Sequence, residues 1–534
     1  MAGRRNDLTT GEENLSGTGK VFVGIDAGTT GCTVMVFDEK GNAIGHGYQE
    51  YNCSSPQPGW IEQSLDDVWA GICSATKQAV KKADVPASAY HSVGLSSQRG
   101  TFGILDANRR PLMNSLVWNC GRALKSVAAI AAEFCPEEHQ QHTGMQISPL
   151  WSAAKIVWLR EKRPDLFDAT RWFVNGQEYF LWRMGADDWA TDPASLTLNG
   201  MMDIARLDWS DRVLKACGID RDRLPPVGTP ATMVGRLSKA AAHETGLPEG
   251  VILCRGAGDQ QCAAIGAGVI RQGMAEFTVG TSGVMVAHLD SVERIKGNKL
   301  WWGGHGVPGA WDIEGGAFSL GASLRWWRDH LGRNELDESA KRNCSVYSVM
   351  VEQAHNSKPG ANGAMFHSFM ASQVTPYYDA VARGGFLGLG LYHERHDLIR
   401  ALLEGCAQEM KMVFDSFQSD IEGGITDFRL TGGGTKSDGF VQIMTDIIGV
   451  PSTVTKEREC TALGAAILGA FGSGAFGTID EAVESMVQVE STFDPNPKLR
   501  ELYDEQHAIY RGMYEAIARS GQYAALSDFS QKYQ

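Results

Sequence analysis

No stretch of this 534-residue chain approaches the 18 or more consecutive apolar residues needed to cross a bilayer, and the N-terminus has no apolar run of the secretory kind. A cytoplasmic protein without a membrane partner is expected. Basic residues are in deficit: 49 Lys plus Arg stand against 63 Asp plus Glu, and the net charge of −14 repels a phosphate backbone. Nucleic acid is therefore excluded as a general partner. The eleven cysteines include no C-x-x-C pair, which removes the usual zinc and dithiol motifs and agrees with a reducing compartment. Nucleotide fingerprints are missing too. Lys436-Ser437 is preceded by Thr435 rather than the glycine of a P-loop, and no strand-linked G-x-G-x-x-G opens a helix. His393-Glu-Arg-His396 has the wrong spacing for a zinc-protease helix and reads as a surface turn.

What is present is an ordinary globular balance, 43% hydrophobic and 21% charged, in a chain long enough for several domains. Residues 1–19 are polar and without period, and read as a flexible tail. Val21–Ile25 and Thr33–Phe37 flank Asp26-Ala-Gly-Thr-Thr-Gly31, the pattern of a β-hairpin around a Gly-rich turn. The layout returns at Ala275–Val279, Gly280-Thr-Ser-Gly283 and Val284–His288. Such an internal repeat implies two related domains facing across a cleft.

Between and after the hairpins, segments of helical period alternate with short strands, which argues α/β. Helices are expected at Leu65–Lys82, Ala123–Phe134, Ser152–Glu161, Ala322–His330, His396–Gln418 and from about Ser437 to Ile448. Strands are expected at Val93–Leu95, Val251–Leu253 and Phe428–Leu430. The last 40 or so residues read as a helix followed by an irregular tail.

Consecutive backbone N–H groups in a tight turn bind phosphate, and glycine permits both the dihedrals and the close approach. Gly28–Gly31 and Gly280–Gly283 fit that chemistry, although each also fits a plain hairpin turn. Gly432-Gly-Gly434, between a strand and a helix, is a third candidate. Asp259, in Gly256-Ala-Gly-Asp-Gln-Gln261, follows an apolar strand and could accept a proton from a substrate hydroxyl, or could cap a turn. Gln98-Arg99, Trp118-Asn119 and Arg122 form the polar and aromatic cluster expected around a hydroxylated ligand, or else a surface ion pair beside a buried Trp.

Taken in order, Asp26-Ala-Gly-Thr-Thr, Gly258-Asp-Gln-Gln, Gly280-Thr-Ser-Gly, Ala382–Leu389 through Glu404, Gly432-Gly-Gly and Thr461–Ala466 make the chain resemble the FGGY family of carbohydrate kinases over nearly all of residues 20–520. The resemblance implies an α/β protein of two actin-like (ribonuclease-H-like) ATPase domains facing across a cleft. It places a substrate-binding domain at 20–265, a nucleotide-binding domain at 266–520 and a tail at 521–534. It implies ATP and Mg²⁺ and a small sugar or polyol as substrate; a homodimer is the partner expectation, which the sequence does not fix.

Carried over by position, the resemblance makes Asp259 the base, with Gln260, Gln98, Arg99, Trp118 and Asn119 around the substrate. Gly28, Thr29 and Thr30 would meet the transferring phosphate, Asp26 the magnesium, and Thr281, Gly321, Gly433, Gly434 and Ser437 the nucleotide. In glycerol kinases a glutamate follows the arginine at Arg99, whereas this chain has Gly100, and a Tyr of that subgroup falls at Leu150. Xylulokinases typically carry Met-His at Gln98-Arg99 and Asp-Asn at Asp259-Gln260, and Cys120 replaces an Asp common in the family. The expected substrate is a ketopentose such as xylulose. Glycerol, another polyol or an autoinducer-2-type diketone is the alternative, and a catalytically silent actin-like sensor is the rival from another class.

Overall fold

The computed structural model describes residues 19–533, so all but the last residue of the expected tail at 1–19 lies outside the described part. Two sheets organise the rest. The first contains β1 (Val21–Ala27), β2 (Gly31–Phe37), β3 (Ala43–Glu50), β4 (Tyr90–Ser97), β5 (Met233–Arg236) and β6 (Ile252–Gly258), in the order β5-β6-β4-β1-β2-β3. The second contains β7 (Met274–Val279), β8 (Gly283–Leu289), β9 (Trp301–Gly304), β10 (Trp311–Ala317), β11 (Asp427–Thr431), β12 (Ser452–Thr455) and β13 (Val489–Phe493), in the order β9-β10-β8-β7-β11-β12-β13.

The repeat read in the sequence is a repeat of topology. In the first half β3, β2 and β1 run antiparallel, and β4 and β6 then continue parallel to β1. In the second half β10, β8 and β7 run antiparallel, and β11 and β12 continue parallel to β7. Central strands covered on both faces need no polar alternation. This is why Val21-Phe-Val-Gly-Ile25 is apolar and buried throughout.

Helix α1 (Leu65–Ala83) covers β2 and β3. It starts where the Ser64 side chain accepts from the Asp67 N–H, with Asp66 and Asp67 at its positive end and Lys81 and Lys82 at its negative end. Further helices used below are α2 (Ser152–Lys162), α3 (Asp259–Gly266), α4 (Leu320–His330), α5 (Arg395–Asp420), α6 (Asp438–Ile448) and α7 (Cys460–Gly472). Although α7 lies late in the chain, it packs on the first sheet and on α3. Its backbone approach is close: a Cβ on Gly464 would stand 1.8 Å from the Cys262 carbonyl oxygen, and one on Gly24 1.8 Å from that of Ala462. The start of α3, where Asp259 sits, is thereby fixed beside β1. No helix among the described residues is long and apolar enough to cross a membrane.

Three local expectations need correction. Ala123–Phe134 is not one helix: Gly121–Ala123 is a 3₁₀ turn and only Ala128–Ala131 is α-helical. The Gly121 N–H bonds to the Gly59 carbonyl and Arg122 to Glu62, so tertiary ties hold the segment in a turn against its propensity. The surface turn expected at His393–His396 is half helix, because Arg395 and His396 open α5 behind a capping box made by Glu394 and Asp397. The C-terminal tail is also helical, over Gln522–Tyr533, where buried Tyr523 stacks on Tyr514 at a centroid distance of 6.0 Å.

Candidate active site

The loop between β1 and β2 is closed by the Gly28 N–H, which donates to the Gly31 carbonyl at 3.1 Å. The Tyr51 hydroxyl donates to the carbonyls of Gly28 (2.7 Å) and Gly31 (3.0 Å), and Gln63 Nε2 to that of Thr29 (2.7 Å). The Thr29 hydroxyl is spent inside the fold, donating to Gln98 Oε1 at 2.9 Å and accepting from Trp118 Nε1 at 3.2 Å. Thr30 is exposed. Gln98 is buried and engaged at both ends of its amide, since Oε1 also accepts from the Thr101 hydroxyl and Nε2 donates to Gln63 at 2.6 Å. Its amide braces the loop. Asn119 is exposed beside half-buried Trp118.

Arg99, with 2% of its side chain exposed, links the two halves: Nε donates to Asp259 Oδ1 at 3.1 Å, and Nη2 lies 2.9 Å from Glu314 Oε2 on β10. The Asp259 carboxylate caps no helix N–H beyond its neighbour, accepting from Gln260 N on the same Oδ1, so Oδ2 has no hydrogen-bond partner among the described residues. Around this pair lie buried polar atoms that lack a partner among the described residues: Arg99 Nη1, Gln260 Oε1, Gln261 Oε1 and Asp312 Oδ1. Buried polar groups are ordinarily satisfied, so this concentration marks a place for ligand hydroxyls or water.

Three residues here escaped the sequence reading. Lys155, buried in α2, donates to the carbonyls of Gly100 (3.1 Å), Val117 (2.9 Å) and Trp118 (3.0 Å), and burial pushes its ammonium down to about 7. A lysine inside the otherwise apolar Ser152–Leu159 was the available signal. Asp312 and Glu314 stand two apart on β10 and so share one face, a pattern that alternation along Trp311–Ala317 displays. Asp312 accepts from Gln261 Nε2.

Asp26, next to last in β1, has its carboxyl raised to about 8, by burial first and then by the charges of Asp259 and Glu459; Ser96 Oγ, at 3.5 Å, is its one side-chain hydrogen bond among the described residues. No cation pairs with Asp26 among the described residues, whereas Asp259 is held by Arg99. Among the described residues no group of three or more His, Cys, Asp or Glu is placed to hold a metal ion.

On the other half, the Gly280–Gly283 turn sits under the start of α4. The Gly321 N–H donates to the Gly280 carbonyl at 3.1 Å, and a Cβ on Gly321 would lie 2.3 Å from that oxygen. Thr281 Oγ1 accepts from Arg325 Nη2 at 3.0 Å. Gly432 (φ +81°) and Gly434 rest against Val279 at the end of β7, while Gly433 is open. Ser437 begins α6 without a capping bond, leaving its hydroxyl uncommitted by the helix. Two Gly-rich turns and a third glycine loop thus meet two repeated sheets.

The family models decide the kinship: the N-terminal domain of the FGGY family of carbohydrate kinases matches residues 21–266 and its C-terminal domain residues 275–473. The chain belongs to the FGGY family of carbohydrate kinases. It is a phosphotransferase with an alcohol acceptor, and kinases of this family use ATP. Its relatives include a glycerol kinase of Thermococcus gammatolerans, 28% identical over 94% of this chain and 98% of the relative. An autoinducer-2 kinase of Enterobacter sp. is 29% identical over 92% and 94%. The crystal structure of a xyloylose kinase from Brucella ovis superposes with a TM-score of 0.82 at 26% identity, covering 93% of this chain and 99% of that one. Their names cover three acceptors at nearly equal identity, so the substrate is a small molecule that kinship does not select.

One electrostatic consequence is testable on this FGGY kinase. The Asp312 carboxyl is raised from 3.8 to about 7, by burial first and the Glu314 charge next. Its folded value exceeds its unfolded one, so the folded chain keeps a proton that the unfolded chain releases, and stability falls as pH rises from about 4 to 7. Asp312→Asn is expected to raise the melting temperature more at pH 8 than at pH 5, and to leave it unchanged only below about pH 4. Equal shifts at both pH values would count against this origin.

Proposed function

We propose that this FGGY kinase transfers the γ-phosphoryl group of MgATP to a terminal hydroxyl of a small ketopentose such as xylulose. The observation that carries the reading is Gly100. Its φ of +67° is left-handed, and a Cβ there would stand 3.0 Å from Leu198 Cβ and 3.3 Å from Trp118 Cβ, so a glutamate like that of glycerol kinases would strain the backbone and crowd both neighbours. Leu150, in place of their Tyr, packs with Leu198 and Phe318 on Met145, Trp151, Trp301 and Val374. Two polar grips on a three-carbon polyol are missing, and a longer ketose has hydroxyls to offer Arg99 Nη1 and Gln260.

In this reading Asp259 accepts the hydroxyl proton, while Gln98 and Trp118 position Thr29 in the phosphate loop with Gly28 and Thr30. Thr281, Gly321, Gly433, Gly434 and Ser437 line the nucleotide. Asp26 is the residue to hold Mg²⁺, whose charge lowers repulsion between the phosphates and the attacking oxygen. The halves at 20–265 and 266–520 are the units that close over both ligands.

One observation favours a second reading: the wall of Leu150, Leu198 and Phe318 suits an acceptor carrying a methyl group, as a linear autoinducer-type diketone does. Each lost hydrogen bond to a neutral partner is worth about 0.5–1.5 kcal/mol, so glycerol should trail the best five-carbon substrate by roughly tenfold or more in kcat/KM. The test compares glycerol, several ketopentoses and a methyl-bearing diketone under saturating MgATP. If glycerol leads that panel, the reading of Gly100 and Leu150 is wrong.

A further inference from the structure

A cavity of about 540 Å³ opens between the segment around Trp60 and the C-terminal end of α2, and none of Asp26, Thr29, Gln98, Arg99, Trp118 or Asp259 lines it. Its walls include Trp60, Glu62, Met113, Arg122, Trp158 and Lys162, with Gln57 and Arg163 also lining it. That volume is typical of a small-molecule site.

Its charge is unusual for this chain. The Arg122 guanidinium, 1% exposed, donates through Nη2 to Glu62 at 2.8 Å and through Nε to the Cys120 sulfur at 3.1 Å. It also lies 4.2 Å from the ring centroid of Trp60 and 5.0 Å from that of Trp158. Arg163 pairs with Asp165 at 2.8 Å. Lys162 has no hydrogen bond or ion pair with any described residue. Three cations thus face two carboxylates, in a protein whose net charge is −14. A purely structural brace of Arg122 between two indoles would need neither the open volume nor the third cation.

We infer that this cavity binds a small organic anion, its carboxylate or phosphate paired with Lys162 and Arg122 and its flat apolar body packed against Trp60, Trp158 and Met113. The indoles stand edge to face, with centroids 5.3 Å apart and planes at 86°, a corner into which a ring can pack. Arg122 is held rigidly before any ligand arrives, so little ordering cost accompanies binding.

Isothermal titration of the full chain in saturating ADP, which keeps the nucleotide site filled, tests this with phenyl phosphate, benzoate, inorganic phosphate and phenol as probes. Phenyl phosphate or benzoate is expected to bind at least about tenfold more tightly than inorganic phosphate or phenol, and the stronger of the two identifies the anionic group. Lys162→Glu, at an exposed position outside the catalytic machinery, should weaken that binding about tenfold or more while leaving turnover unchanged. Trp60→Leu should weaken it toward the level of inorganic phosphate. The inference is overturned if no probe binds at ~10 mM, if phenol matches the anions, or if Lys162→Glu binds as well as the unaltered chain.

Discussion

Asp259→Asn is expected to lower turnover by roughly 10²–10⁴ while ATP affinity stays unchanged, the usual scale for losing a general base. The geometry makes the substitution clean. Both contacts to Asp259 fall on Oδ1, from Arg99 Nε and Gln260 N, and an asparagine oxygen can accept both. What changes is Oδ2, the oxygen without a partner among the described residues, which becomes an amide that cannot take a proton from a substrate hydroxyl. Arg99 keeps its bond to Glu314, so the bridge between the halves remains. Steady-state kinetics with the best acceptor read the effect. A variant with near-normal kcat removes Asp259 from proton transfer, and one altered only in the acceptor KM makes it a binding group.

The architecture was legible because it rests on local patterns repeated. Two apolar runs around a Gly-rich turn, found twice, pointed to two related halves, and strand directions match between the two sheets from β3 to β6 and from β10 to β12. Helices such as that at Leu65–Lys82 were legible from their period, and the structure adds the Ser64 cap and one further residue. The segment 121–131 was not, because its shape depends on Gly59 and Glu62, about 60 residues earlier, rather than on its own alanines. The site divides the same way. Asp259 and the glycine turns carry signals within a few residues, whereas the partners of Lys155 lie 37 to 55 residues away and Glu314 meets Arg99 across 215. Spacing along a chain cannot announce such pairs. Only an acid or an amine standing in an apolar run hints that a partner exists.

That long-range pair supports the second large expected effect. Glu314→Leu should destabilise the protein by about 3 kcal/mol, because Arg99 would stay buried with Asp259 as its remaining carboxylate, and breaking a buried pair strands a charge. Two charges buried together are worth less than this figure suggests, since each pays for leaving water. The double variant Arg99→Met with Glu314→Leu should accordingly recover most of the lost melting temperature, with apolar groups of similar volume in place of the pair. Turnover should behave in the opposite way. The double variant removes Arg99, so Asp259 loses the donor that orients its Oδ1, and kcat with the best acceptor should stay low there even where stability returns. Thermal melts and kinetics on the same preparations separate the two roles. Should stability and turnover recover together, the Arg99–Glu314 bridge serves only to hold the halves in register, and Asp259 is positioned by the start of α3 alone.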